Sequence, residues 1–163
     1  MLRSFRTTTV IHLLLIAMMI SVFLFLSFLQ FGFGRYVEKI PTTVSIDDLV
    51  IGVKTTEKYH NTRVNDILDT WFKLAPNIVY FITDTKDERL EYRSLNKAVL
   101  SDCVHEHTRE GLCCKMNAEL ELFTALNPRW ACHFDDDNYV NVAELLRMLK
   151  MYDSSLDYYL GKP

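Results

Sequence analysis

The segment His133-Phe-Asp-Asp-Asp-Asn-Tyr-Val140 sets three consecutive carboxylates, Asp135, Asp136 and Asp137, between an apolar run and a helical one. Three adjacent acids are costly to ionise together unless a cation compensates. Their hard oxygens suit Mg2+ or Mn2+, ions that keep part of their water and bind substrate phosphates. An Asp-x-Asp on such a turn can hold a divalent ion against a nucleotide diphosphate. The competing reading is a solvated acidic turn capping the helix at Val142, because acids favour helix N-termini. The preceding strand run and the aromatic frame of Trp130, Phe134 and Tyr139 favour ligand chemistry. A calcium EF-hand is excluded. Counted from Asp135, Val140 falls where that loop needs glycine and Leu146 where it needs a bidentate glutamate.

Arg63 follows the first strand signal, near the start of the first helix. There its planar fork can face a diphosphate, against the alternative of a surface helix residue. His60 lies beside it; His133 reads as a packed strand side chain, and His105 and His107 as loop residues. The four cysteines are Cys103, Cys113, Cys114 and Cys132. A pair from Cys103 to Cys113 or Cys114 would close a loop of about ten residues, as disulfides in oxidising compartments do. Cys103, His105, His107 and Cys114 form an alternative zinc set, with a spacing foreign to the usual knuckles. No P-loop, Gly-x-Gly-x-x-Gly or Gly-x-Ser-x-Gly occurs.

The elements that must position these residues alternate. Leu49–Lys54 reads as a buried strand and Arg63–Phe72 as a helix with Val64, Ile67, Leu68 and Trp71 on one face. Asn77–Thr83 is a second strand run and Lys97–Leu100 a weak third. Met116–Leu126 carries Met116, Leu120, Phe123 and Leu126 at helical spacing. Trp130–Phe134 is a strand, Val142–Met151 a helix, and Asp157–Leu160 is expected to open one more strand. Near-continuous apolar strands alternating with helices predict a mostly parallel α/β sheet covered by helices. In such sheets ligands collect at the carboxyl ends of strands, where the acidic triplet stands.

Charge and hydropathy divide the chain. Of 163 residues, 49% are hydrophobic and the net charge is -3. Residues 1–35 carry Arg3, Arg6 and Arg35 and no acid; the remainder carries 15 basic against 21 acidic side chains. The acidic remainder argues against a nucleic-acid partner. Val10–Leu29 is interrupted only by His12, Ser21 and Ser27, long enough for a membrane-spanning helix. A cleaved signal peptide has a shorter apolar core, and this one runs on into Phe28–Phe33. The flanking charges keep the N-terminus cytosolic, so a type II signal anchor is expected. The organisation is then a cytosolic tail at 1–9, a transmembrane anchor at 10–29, a stem at 30–46 and a lumenal domain at 47–163.

Ile51-Gly-Val-Lys-Thr-Thr56, His60, Arg63 and Ile67-Leu-Asp-Thr-Trp71 resemble the first strand and helix of the Fringe glycosyltransferases. Tyr80-Phe-Ile-Thr-Asp84, Cys114-Lys-Met116, Arg129-Trp130, His133–Asn141 and Tyr159–Pro163 match further segments in the same order. The resemblance implies a GT-A-like (Rossmann-like) fold, of which this chain holds the nucleotide-binding half. It implies inverting transfer of N-acetylglucosamine from UDP-GlcNAc, in β1,3 linkage, to O-fucose on EGF-like repeats of Notch-type receptors, at the Golgi membrane. Asp137 would ligate Mn2+, Asp136 would contact the UDP-sugar, and Arg63 would bind the donor. Cys103 and Cys114 match the family's first disulfide; Cys113 is extra, and Cys132 matches a cysteine whose partner lies downstream. The catalytic base and a histidine metal ligand belong to a later part of the family's sequence. The chain therefore reads as the first half of a longer enzyme, inactive alone. The alternatives are a non-catalytic membrane-tethered interaction module and a related β1,3-glycosyltransferase with another acceptor.

Overall fold

The computed structural model describes residues 12, 14–27, 43–104 and 108–161. The chain divides into two units, Met1–Ile40 and Pro41–Pro163. In the first, residues 14–27 are helical and almost wholly exposed. Among the described residues no helix is long and apolar enough to cross a membrane. These residues therefore do not support the expected spanning helix at 10–29, whose ends lie outside them together with most of the stem.

The second unit is built on four parallel strands: β1 (Leu49–Lys54), β2 (Val79–Thr83), β3 (Ala98–Leu100) and β4 (Trp130–Asp135). Their spatial order is β3-β2-β1-β4. The helices are α1 (Arg63–Asp69), α2 (Glu88–Arg93), α3 (Arg109–Leu126) and α4 (Val142–Leu149). A helical turn at Glu57–His60 precedes α1, and a 3-10 turn at Trp71–Leu74 follows it. The mostly parallel α/β sheet expected from the sequence is what the chain forms.

Alternation along β1 sorts its side chains. Leu49, Ile51 and Val53 are fully buried and join Val64, Ile67, Leu68, Trp71, Phe72, Leu90, Val142 and Leu149 in the core. That face is thus covered by α1, α2 and α4. Val50, Gly52 and Lys54 point to the other face, against which α3 packs. The strand order explains the change of side. The chain steps from β1 to β2 to β3 in one direction, then returns past β1 to β4. Right-handed crossovers demand that the returning helix cross on the opposite face.

Two expectations are corrected. Helix α3 begins at Arg109, because Thr108 caps it by accepting from the Gly111 N–H at 3.2 Å. It ends at Asn127, whose left-handed backbone lets its N–H close on the Phe123 carbonyl. Its buried residues are Gly111, Lys115 and Glu119, whereas Leu120 and Leu126 of the apolar stripe are exposed. Residues 157–160 form no strand. Tyr158 instead stacks on Trp130 at 6.1 Å and meets Tyr152 edge-on, so side-chain packing rather than backbone pairing holds this segment.

Candidate functional site

The reversal of strand order between β1 and β4 leaves a crevice at their carboxyl ends, the usual ligand position in open α/β sheets. A cavity of about 830 Å3 opens there. Its walls come from Lys54–Thr56 at the end of β1, Lys58 and Tyr59 in the helical turn, Arg63 opening α1, Lys115 of α3, and Asp135–Asp137 at the end of β4.

The three acids have different surroundings. Asp136 is buried, accepting from the Thr55 hydroxyl at 2.8 Å on one oxygen and from the Arg63 guanidinium at 2.9 Å on the other. Asp135 is half-exposed, 3.2 Å from Lys54 Nζ across the β1–β4 pair. Asp137 is exposed; one oxygen accepts from the Asn138 amide at 3.3 Å and the other lies 3.6 Å from Arg63. Arg63 is gripped on a second side by Tyr59, whose ring centroid is 4.0 Å from the guanidinium carbon. The hydrogen bond to Asp136 holds Arg63 above its already high pKa. The structure therefore brings together Arg63, Asp136 and Asp137, the three residues singled out for donor and metal binding.

Asp137 offers two exposed hard oxygens, a fit for Mn2+ or Mg2+. Among the described residues no three His, Cys, Asp or Glu side chains gather in a metal-holding group. An ion held by this carboxylate alone would need its other ligand positions filled by water and phosphate, as such ions commonly use.

Beneath the cleft floor lies a second layer without a role in the sequence reading. Lys115 is buried; its ammonium donates to the Thr55 carbonyl at 3.1 Å and to Asp84, at the end of β2. Asp84 also accepts from the Thr56 hydroxyl at 2.8 Å and the Glu57 N–H at 3.2 Å. Burial pushes Asp84 up, but these hydrogen bonds, that from Lys115 foremost, outweigh it and hold the carboxyl below its usual range. The available signal was a polar stripe, Gly111, Lys115 and Glu119 at four-residue spacing, on a helix also carrying an apolar one.

His60 does not face the cleft: it is buried, hydrogen-bonded to Asp87 at 2.9 Å and Thr83 at 2.7 Å. His133 is an exposed residue of β4 rather than a packed one, with its Nδ1 2.7 Å from Glu119. Cys103 and Cys114 are joined in a disulfide, which removes both thiolates from the zinc alternative; His105 and His107 lie outside the described residues. Cys113 is exposed and free, and Cys132 is free with its thiol pushed up to about 11 by burial.

A four-stranded parallel sheet flanked by helices, with a cavity at its switch point, defines an open α/β domain. The sequence places it more closely. The family model described as Fringe-like matches residues 44–163, and the chain belongs to this family. It is 46% identical over 123 residues to the Fringe glycosyltransferase of Drosophila melanogaster, covering 76% of this chain and 30% of that protein. To the β-1,3-N-acetylglucosaminyltransferase radical fringe of Xenopus laevis it is 41% identical over 120 residues, 74% of this chain and 35% of the relative. To human manic fringe, likewise named a β-1,3-N-acetylglucosaminyltransferase, it is 39% identical over 123 residues, 76% and 38% of the two chains. The chain thus spans only 30% to 38% of the length of these relatives.

Proposed function

We propose that the folded unit is the donor-nucleotide part of an inverting glycosyltransferase. The reaction moves N-acetylglucosamine from UDP-GlcNAc, in β1,3 linkage, to O-fucose on EGF-like repeats of Notch-type receptors. The observation that carries the reading is the Arg63–Asp136 pair, braced by Thr55 and opening on the switch-point cavity. Arg63 keeps further N–H donors for a diphosphate beyond the one given to Asp136. Each Asp136 oxygen retains a lone pair for a hydroxyl of the bound nucleotide sugar. Mn2+ held by Asp137 would supply Lewis-acid stabilisation of the departing diphosphate. Deprotonation of the fucose hydroxyl requires a general base. None of the residues assigned here takes that role, so this chain alone is read as binding donor without transferring sugar.

The reading includes the membrane. Residues 10–29 serve as a type II signal anchor that places the folded unit in the Golgi lumen. Composition supports the anchor, and the Cys103–Cys114 disulfide supports an oxidising compartment.

The test is calorimetric titration of UDP, with and without Mn2+, into the chain and its Asp137→Ala variant. Mn2+-dependent heat in the parent alone is expected; equal heats in all four titrations would refute the donor-site reading.

A further inference from the structure

We propose that Tyr59 is a positioning residue of the donor cleft: its ring fixes the plane of the Arg63 guanidinium, so that the nitrogens not given to the acidic triplet face the donor diphosphate. The proposal rests on the reading of Arg63 as a donor-binding residue.

Arg63 meets the acids through one atom. Its Nη1 lies 2.9 Å from Asp136 Oδ1 and 3.6 Å from Asp137 Oδ2. The N–H groups on Nη2 and Nε have no hydrogen-bond partner among the described residues. A contact through a single atom is a pivot. Unlike a bidentate fork, it leaves the guanidinium plane free to turn. The Tyr59 ring supplies the missing constraint, because the guanidinium carbon lies over it, 4.0 Å from the centroid. At that distance a planar cation stacks on an aromatic face. Lys58 Nζ lies farther from the same ring, at 5.3 Å. Tyr59 and Arg63 both line the cavity, so the plane is fixed at the wall of the site.

The backbone of Tyr59 is held in turn. It belongs to the helical turn Glu57–His60. The Glu57 N–H donates to Asp84 at 3.2 Å, and the buried His60 ring is bonded to Asp87 at 2.9 Å and Thr83 at 2.7 Å. Both ends of the turn are thereby tied to the carboxyl end of β2 and to Asp87, which caps α2. The Tyr59 side chain has no comparable task in the fold. It is half-buried, stands outside the hydrophobic core, and its hydroxyl has no hydrogen-bond partner among the described residues. What the side chain contributes is the ring face that bears on Arg63.

The test uses the full chain in detergent, with 15N relaxation of the Arg63 Nε–H in the ligand-free protein and calorimetric UDP affinity in Mn2+ as two readouts. Tyr59→Phe keeps the ring; Tyr59→Leu removes it. Expected are a rigid Arg63 and parent-like UDP affinity in Tyr59→Phe. In Tyr59→Leu a mobile Arg63 is expected, with a melting temperature close to the parent's and UDP affinity about fivefold weaker, the size of an exposed cation–π contact. On an Arg63→Lys background, which offers no plane to fix, Tyr59→Leu should add no further loss. The same fivefold loss repeated there would place the ring on the nucleotide itself and overturn the proposal. Equal Arg63 mobility in the parent and Tyr59→Leu, parent-like UDP affinity in Tyr59→Leu, or a loss in Tyr59→Phe as large as in Tyr59→Leu would overturn it as well. Should Tyr59→Leu not fold, Tyr59→Met, which also lacks an aromatic face, takes its place under the same criteria. If the parent binds no UDP, the donor-site reading fails instead. The relaxation arm then decides whether Tyr59 positions Arg63, and unchanged Arg63 mobility on loss of the ring would refute it.

Discussion

Gly52 of β1 lies directly against the carboxyl group of Glu119, leaving no room at position 52 for even a methyl group. The neighbouring carboxylate is buried and tied to His133, so it cannot simply swing away. Gly52→Ala is expected to destabilise the folded unit by about 1–3 kcal/mol, the usual range for overpacking. Truncating Glu119 makes space, so Gly52→Ala in a Glu119→Ala background should cost measurably less. Urea unfolding of the two single variants and the double variant checks this; strict additivity would contradict the contact.

Arg63 holds Asp136 through one nitrogen and stacks on Tyr59 through its face. Lysine keeps the charge but has neither the fork nor the plane. Arg63→Lys is therefore expected to weaken UDP binding in the presence of Mn2+ by about tenfold, roughly 1.4 kcal/mol. Calorimetry reads the change directly. An unaltered affinity would mean that charge alone suffices.

Lys115 and Asp84 form a buried ion pair under the cleft. Lys115→Ala leaves the Asp84 carboxylate without its main partner, at an expected cost of about 3–5 kcal/mol. The pair also sets an acid limit. The folded pKa of Asp84 lies below its unfolded value, so its contribution is fully present above the ordinary carboxylate range, about pH 4. It is lost as pH falls through the depressed folded value. Unfolding free energy measured from pH 6 downward should decline below about pH 4, and less steeply in Asp84→Asn than in the parent.

The Cys103–Cys114 disulfide closes a loop of sequence separation 11 at the start of α3, one residue before Lys115. Chain-entropy reasoning assigns such a bridge about 2–4 kcal/mol. Cys103→Ser should lower stability by that amount, whereas Cys113→Ser, at an exposed thiol, should change it little. Thermal unfolding with and without reductant distinguishes them: reductant should matter for the parent and Cys113→Ser, and not for Cys103→Ser.

Periodicity located β1, β2 and β4 within a residue or two, because strands buried on an apolar face must carry near-continuous apolar runs. It also located α1, whose Val64, Ile67 and Leu68 are all in the core. It misjudged α3. The stripe Met116, Leu120, Phe123 and Leu126 has helical spacing, yet the buried residues are Gly111, Lys115 and Glu119. Hydrophobic patterning cannot anticipate a helix that buries charge, because the compensating partners sit far away in sequence: Asp84 for Lys115, and His133 for Glu119. Residues 157–160 failed for a related reason. Tyr158 found an aromatic partner in Trp130 rather than a strand edge, and Tyr159 is fully exposed.

Local sequence alone determined the acidic triplet, its place after an apolar strand and before a helix, and the identity of Arg63 as a fork-bearing cation near a strand end. Those are matters of residue type and short-range spacing. Only the tertiary structure decided how the triplet is divided. Strand register sets Lys54 beside Asp135, and the reversal of strand order brings Thr55 and Arg63 to Asp136. The physical reason is that a carboxylate's role follows from the charges and donors within a few ångströms of it. In a parallel sheet those neighbours arrive from strands and helices tens of residues away.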